Sequence, residues 1–245
     1  MERGLAETRS RAQALLIAGR VRVGTGDGAR TDRKPGEQVP TDSALEVIEP
    51  APFVSRGGEK LAGALDAFGV DPAGRICLDV GASTGGFTDC LLQRGARRVY
   101  ALDVGRGQLA ESLRGDPRVI SLERTHARRL DPADPEAMTL PEPVSLTVID
   151  VSFISVTRVV GPVAAAVEPG GEIVALVKPQ FESGPRDVPK GVVRDPAVRA
   201  AAVSRVRADA EARGMRVLGE AESVLVGPSG NHEIFLHLAL PGGPT

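Results

Sequence analysis

Two lysines and two carboxylates stand where a charged side chain could act on a substrate. Asp150 closes the apolar run SLTVID, and Lys178 closes the apolar run IVALVK. Lys60 follows Gly57 and Gly58 at the start of an amphipathic stretch, and Glu233 precedes the last apolar run, IFLHLAL. The chain has 30 basic residues, of which only Lys34, Lys60, Lys178 and Lys190 are lysine and 26 are arginine. A guanidinium keeps its proton under working conditions, whereas an amine can give one up or take one on. A lysine kept in so arginine-rich a chain marks a place where an amine is useful. Beside a weakly acidic hydroxyl, an amine can steer the oxygen onto an electrophile and take its proton. Four charges that sum to zero can also sit together away from water at tolerable cost.

The run LDVGASTGGFTD (78–89) passes from an apolar segment through a glycine-rich turn into a helical pattern. Gly81, Gly85 and Gly86 clear side chains from the place where a ligand would meet the backbone, and a helix N-terminus follows. Asp103 ends the next apolar run, 22 residues after Gly81, a position suited to ribose hydroxyls. A dinucleotide site would space its glycines G-x-G-x-x-G. Here they fall as G-x-x-x-G-G, with Asp79 two residues before the first. An acid at that point suits a cationic ligand without phosphate, and S-adenosylmethionine, with its ammonium and sulfonium, is such a ligand.

These residues need a scaffold that brings strand ends together. From residue 56 onward, apolar runs at 76–81, 97–105, 118–123, 144–152 and 172–181 alternate with helical stretches. That pattern predicts a mostly parallel sheet of seven strands with helices on both faces, closed by an antiparallel pair around Gly227–Asn231. Asp150 and Lys178 then lie at the carboxyl edge, where open α/β sheets bind ligands. Residues 1–49 read as a small α+β unit: a helix capped by Thr8 or Ser10, a strand at 20–23 and another at 44–49. Residues 50–55 form a linker, and 56–245 the larger domain. Residues 1–23 hold five arginines against Glu2 and Glu7, an excess of +3.

Composition excludes several classes. At 245 residues and a net charge of −2, the chain is no polycation, so a nucleic-acid partner needs a local patch. No apolar run reaches the 18 residues of a membrane span and no leader-like core opens the chain, so a membrane partner is not expected and a cytoplasmic location is. Cys77 and Cys90 support neither a disulfide framework nor a zinc site, and no metal is expected. Aromatics make up 3% of the chain, too few for a broad base-stacking platform. Shape and phosphate recognition through Arg9, Arg11, Arg20, Arg22 and Arg56 fits better.

The amino-terminal segment resembles the S4 RNA-binding domain through Gly4, Leu5, Thr8, Arg9, Ala12, Leu15, Leu16, Gly19, Val21 and Val23. The Arg-Leu-Asp opening of that family is not present here, so either the chain starts further upstream or the first helix is short. LDVGASTGGFTD resembles the first motif of Rossmann-like methyltransferases and is close to that of the FtsJ-like RNA ribose methyltransferases. That resemblance implies that Asp79, Gly81, Ser83, Gly85, Gly86 and Phe87 line the cofactor and that Asp103 holds its ribose. Thr125 and His126 would then meet the adenine, although Asn is more usual at position 126. Lys60, Asp150, Lys178 and Glu233 resemble the Lys-Asp-Lys-Glu tetrad of the same enzymes, with Asp150 also next to the methyl donor. Together SRGGEKL, DVSFIS, LVKPQFE, KGVVRDP and GPSGNHE resemble the TlyA (haemolysin A) rRNA methyltransferase family over nearly the whole chain. The resemblance implies transfer of a methyl group to a cytidine 2′-hydroxyl in ribosomal RNA or ribosomal subunits, with Lys190 facing the RNA.

Two other readings stand beside it. Asp150-Val151-Ser152-Phe153 has the outline of an acid-x-x-aromatic motif that grips a base amine, but lacks that motif's central prolines. A catalytically inactive RNA-binding or ribosome-assembly factor would have no use for Asp79, Asp103, Asp150 and Lys178 together. A pore-forming haemolysin fails on hydropathy.

Overall fold

The computed structural model describes residues 3–48 and 51–242. The chain divides into two compact units, Met1–Pro52 and Phe53–Thr245, the division falling within the 50–55 segment. In the first unit, helix α1 (Arg9–Ile17) is capped by Thr8, whose hydroxyl accepts from the Arg11 N–H at 3.1 Å. Strands β1 (Val21–Val23) and β2 (Leu45–Val47) pair antiparallel. Among its described residues only Val23 is buried, and Ile17 is 72% exposed. Leu15 and Leu16 are half-buried, as the helical spacing places them on one side.

The second unit is an α/β sheet with helices α2 (Arg56–Phe68), α3 (Gly86–Gln93), α4 (Glu111–Arg114), α5 (Thr157–Ala164), α6 (Pro179–Glu182) and α7 (Pro196–Ala212). Its strands are β3 (Ile76–Val80), β4 (Arg98–Leu102), β5 (Val119–Leu122), β6 (Val144–Ile149), β7 (Val167–Val177), β8 (Arg216–Glu222) and β9 (Ile234–Ala239). They lie in the order β5-β4-β3-β6-β7-β9-β8. The first five run parallel, and β9 pairs antiparallel with both β7 and β8. The central strands are apolar on both faces because two cores cover them. One gathers Leu78, Ile149 and Leu236 under α5 and α7; the other gathers Cys77, Leu146 and Phe235 under α2 and α3.

Chain order reverses direction between β3 and β6, which opens a crevice beyond their carboxyl ends. The antiparallel β9 brings its first residues to the same edge, since Ile234 lies opposite Val177. Val144 pairs with Val167 and Leu146 with Glu172, so Pro169, Gly170 and Gly171 form an excursion within β7. β8 ends at Glu222, and Val224 packs on α2 at Gly63.

Candidate active site

The cleft at this crevice, about 250 Å³, is walled by the glycine turn (Gly81, Ala82, Ser83, Thr84, Gly86, Phe87), by Ser55, Arg56, Gly57 and Lys60, and by Asp150, Lys178 and Val226. Gly81, with φ +87, follows β3; a Cβ there would stand 2.3 Å from the Asp150 carbonyl oxygen. A Cβ on Gly86 would meet the Ser55 hydroxyl at 2.2 Å and the Gly58 nitrogen at 2.8 Å. Glycine at both positions lets the β3 turn, the β6 end and the starts of α2 and α3 converge on one space. The Asp89 carboxylate ties α3 to the segment before α2 by accepting from the Val54 N–H at 2.8 Å.

The four charged residues singled out in the sequence form two ion pairs. Lys178, directly after β7, sets its ammonium 2.6 Å from Asp150 Oδ1 and donates to the Ser152 hydroxyl at 2.9 Å. Lys60, in the second turn of α2, reaches Glu233 Oε2 at 2.5 Å. Lys178 and Asp150 keep 12% and 24% of their side chains exposed, whereas Lys60 and Glu233 keep 9% and 0%. Lys60, Asp150 and Lys178 face the cleft; Glu233 stands behind Lys60, with Oε1 packed against Gly227, where a Cβ would be 2.3 Å away.

Asp79 lies in β3 with no exposed surface and is not part of the cleft wall. Its Oδ2 accepts from the Thr88 hydroxyl at 2.7 Å, while Oδ1 has no partner. Burial is the main cause that pushes its carboxyl up to about 7, with Asp150 and Asp103 adding repulsion. Asp103 accepts from the Ser83 N–H at 2.8 Å and from the Gly105 N–H at 2.6 Å, which shapes a second recess. That recess is lined by Asp103, Gly105, Gln108, Leu109, Ser121 and Glu123, among others. Thr125 is buried, its hydroxyl donating to the Glu123 carbonyl, and His126 is exposed; neither lines the recess.

Gln108 and Leu109 escaped the sequence reading, although the glycines at 105 and 107 were a signal that the loop after Asp103 folds back on it. Ser55 and Val226 carried no such signal. Phe153, directly after the Lys178 partner Ser152, is 91% exposed and at φ +65, its ring 5.2 Å from that of Phe181. Arg56 also lines the cleft and donates to the Val226 carbonyl at 3.1 Å. Lys190 is exposed in the loop after α6. In the first unit Arg9 and Arg11 are exposed, Arg20 is half-buried, and Arg22 is paired with Glu46 at 2.8 Å.

The residues fit S-adenosylmethionine. The cradle excludes any Cβ, Asp103 offers acceptors beside the recess, and Asp79 holds an unsatisfied buried oxygen beneath it. Residues 53–240 match the FtsJ-like methyltransferase family. A Listeria monocytogenes structure, named for an S-adenosylmethionine-dependent methyltransferase, has a TM-score of 0.55 at 14% identity, over 76% of this chain and 99% of its own. A Streptococcus thermophilus structure that bears the hemolysin name is 41% identical with a TM-score of 0.75, over 99% of this chain and 86% of its own. The 16S/23S rRNA (cytidine-2′-O)-methyltransferase TlyA of Mycobacterium tuberculosis is 48% identical over 241 residues, 97% of this chain and 87% of that relative. Strand order and glycine cradle together define a Rossmann-like methyltransferase fold. Within that class, the chain belongs to the TlyA (hemolysin A) family of FtsJ-like methyltransferases.

Proposed function

We propose that this protein is an S-adenosylmethionine-dependent methyltransferase that modifies a ribose 2′-hydroxyl, that of cytidine, in ribosomal RNA. The observation that carries the reading is the amine of Lys178, held by Asp150 and Ser152 on the wall of a cleft that also contains the glycine cradle. The bound cofactor supplies an electrophilic methyl group. Lys178 orients the attacking hydroxyl and, as the neutral amine after losing its own proton, takes the hydroxyl proton as the new bond forms. Asp150 fixes the direction of that amine, and Lys60 adds positive charge to the same cleft, itself held by Glu233. Placing the oxygen in line with the methyl supplies a large part of the rate, because a bimolecular encounter becomes an intramolecular one.

The named activity of the Mycobacterium tuberculosis relative, on cytidine in both ribosomal RNAs, supports the substrate. The amino-terminal unit acts in this reading as an S4-like RNA-binding domain, with Arg9 and Arg11 among its exposed cations. The enzyme works in the cytoplasm, with its RNA. The test is to incubate the protein with methyl-labelled S-adenosylmethionine and ribosomal RNA or subunits and to locate the label by nucleoside mass spectrometry. Label on the ribose of cytidine supports the reading. Label on an exocyclic amine, or none, overturns it. Replacing Arg9 and Arg11 with Gln should lower the salt slope of RNA binding by about 0.7–0.9 per lost cation.

A further inference from the structure

Glu182 is a buried carboxylate for which the reaction above has no use. It keeps 6% of its surface exposed, and an acid stays buried only where donors meet its oxygens. Here Oε1 accepts from the Val156 N–H at 2.7 Å and Oε2 from the Ser155 hydroxyl at 2.5 Å. Ser155 Oγ in turn accepts from the Thr157 N–H at 3.2 Å, and the Thr157 hydroxyl lies 2.7 Å from it. Val156 caps α5 and Thr157 opens it, so the carboxylate also sits at the positive end of that helix.

Both sides of this contact lead to the cleft. Glu182 closes α6, four residues after Lys178, while Ser155 and Val156 end the loop that carries Asp150 and Ser152. The Lys178 side is stiff. Pro179 sets the first residue of α6, the Phe181 N–H donates to the Lys178 carbonyl at 2.9 Å, and Arg205 of α7 donates to the Glu182 carbonyl. The other side has no such frame: residues 150–156 form neither helix nor strand, and Phe153 among them stands at φ +65. A loop of that kind keeps its course only where something ties it. Its near end is tied by Asp150, whose N–H donates to the Val80 carbonyl at 2.9 Å, and its far end by Glu182. Between these ties Lys178 reaches across to Asp150 and Ser152, and the Phe153 and Phe181 rings lie 5.2 Å apart.

We propose that Glu182 is a positioning residue for methyl transfer, a clamp that fixes the 150–156 loop against the Lys178 arm and so keeps the amine, Asp150 and Ser152 in reacting register. This inference rests on the function proposed above and adds a residue that does not line the cleft. Misplacing a reacting group by about 1 Å is enough to cost about 10²-fold in rate.

The test compares the full chain with Glu182→Ala, Glu182→Gln, Ser152→Ala and the double variant of Glu182→Ala with Ser152→Ala, each well below its melting temperature. Single-turnover methylation of ribosomal RNA is measured at saturating RNA and cofactor, with calorimetric affinity for S-adenosylhomocysteine beside it. Hydrogen exchange of the backbone amides at 150–158 is read without any need for turnover. Glu182→Ala should lose about 10²-fold in rate with cofactor affinity unchanged, and its Val156 amide should exchange about tenfold faster. Glu182→Gln has the same reach and still offers an oxygen to the Val156 N–H, so it should recover most of both losses. Because Glu182 acts through the Lys178–Ser152 contact, the double variant should be no slower than the slower single variant. A parental rate in Glu182→Ala, which a purely structural part would give, overturns the proposal. Losses that multiply in the double variant, or unchanged exchange at Val156, overturn it as well. If the parent itself transfers no methyl group to RNA, the proposed activity fails, and faster exchange confined to 150–158 in Glu182→Ala would leave the clamp standing.

Discussion

Lys60–Glu233 and Lys178–Asp150 are the same chemical pair in two surroundings. In the first the carboxylate is fully buried, wedged against Gly227, and the ammonium keeps 9% of its side chain exposed at the cleft; in the second both groups are partly exposed on the cleft wall, at 12% and 24%, with Ser152 as a further partner. In a buried pair, desolvation consumes most of the attraction, yet removal of one partner strands a charge where nothing can solvate it. In a half-open pair, water takes over when a partner leaves, so the free energy of the pair is small and its geometry is free to serve a reaction. On the proposed function, the difference gives Lys60 and Glu233 the part of holding the cleft's shape, and Lys178 and Asp150 the part of acting within it.

The strongest way to break this comparison is at Lys178. Lys178→Met should reduce single-turnover methylation by about 10³-fold, within the range of a lost general acid–base group, while thermal stability changes little. Lys178→Arg should lose nearly as much, because a guanidinium cannot accept the proton. A Lys178→Arg protein that works at full rate would remove the need for a deprotonatable amine.

The closed pair should behave in the opposite sense. Lys60→Met or Glu233→Leu alone should each cost about 3 kcal/mol of stability in urea unfolding, the penalty of one uncompensated buried charge. The double variant should recover most of that loss. Single variants that lose stability as little as Lys178→Met would erase the distinction between the pairs.

A third carboxylate sharpens the contrast, because Asp79 is buried near Asp150 and, among the described residues, has no cationic partner. Its carboxyl, raised to about 7 by burial, stays protonated in the folded chain while the unfolded chain ionises near its ordinary value. Between about pH 4 and pH 7 the native state therefore binds the extra proton. Stability falls as pH rises through that window, by about 1.4 kcal/mol per pH unit, and is flat on either side. Asp79→Asn keeps an acceptor for Thr88 and cannot ionise. Urea midpoints measured at pH 4.5 and 7 should separate the two proteins by their slopes; parallel profiles would show that Asp79 is ionised in the folded state.

Much of this site was legible because strand ends are legible. Asp150 and Lys178 close apolar runs, and parallel runs must end at one edge, so their meeting followed from topology. Glu233 was placed by the antiparallel return of β9. How the charges divide into two pairs was not legible, since a spacing along the chain says nothing about which lysine a carboxylate faces. Asp79 reads in sequence as a wall residue, yet the pleat of β3 turns it beneath the cleft. Gln108, Val226 and Phe153 reach the site through loop conformation, and Phe153 through a left-handed backbone that no pattern of hydrophobicity encodes.

Phe153 offers the smallest and most selective test of the open side. A non-glycine residue at φ +65 costs about 1–2 kcal/mol of backbone strain, and a ring left 91% exposed gains little from burial in return. On the proposed function, a strained ring next to Ser152 and exposed to solvent is placed to stack against a base of the RNA. Phe153→Gly should relieve the strain and raise stability by about 0.5–1 kcal/mol, while Phe153→Ala keeps the strained backbone and should gain nothing. Both variants lose the ring, so both should weaken RNA binding by about fivefold, near the low end of what one aromatic stack on a base contributes. Equal stabilities for the two variants would show that the backbone there is not strained. Undiminished RNA binding by both would leave the exposed ring without a part in recognition, and the cleft pair would then act without an aromatic neighbour.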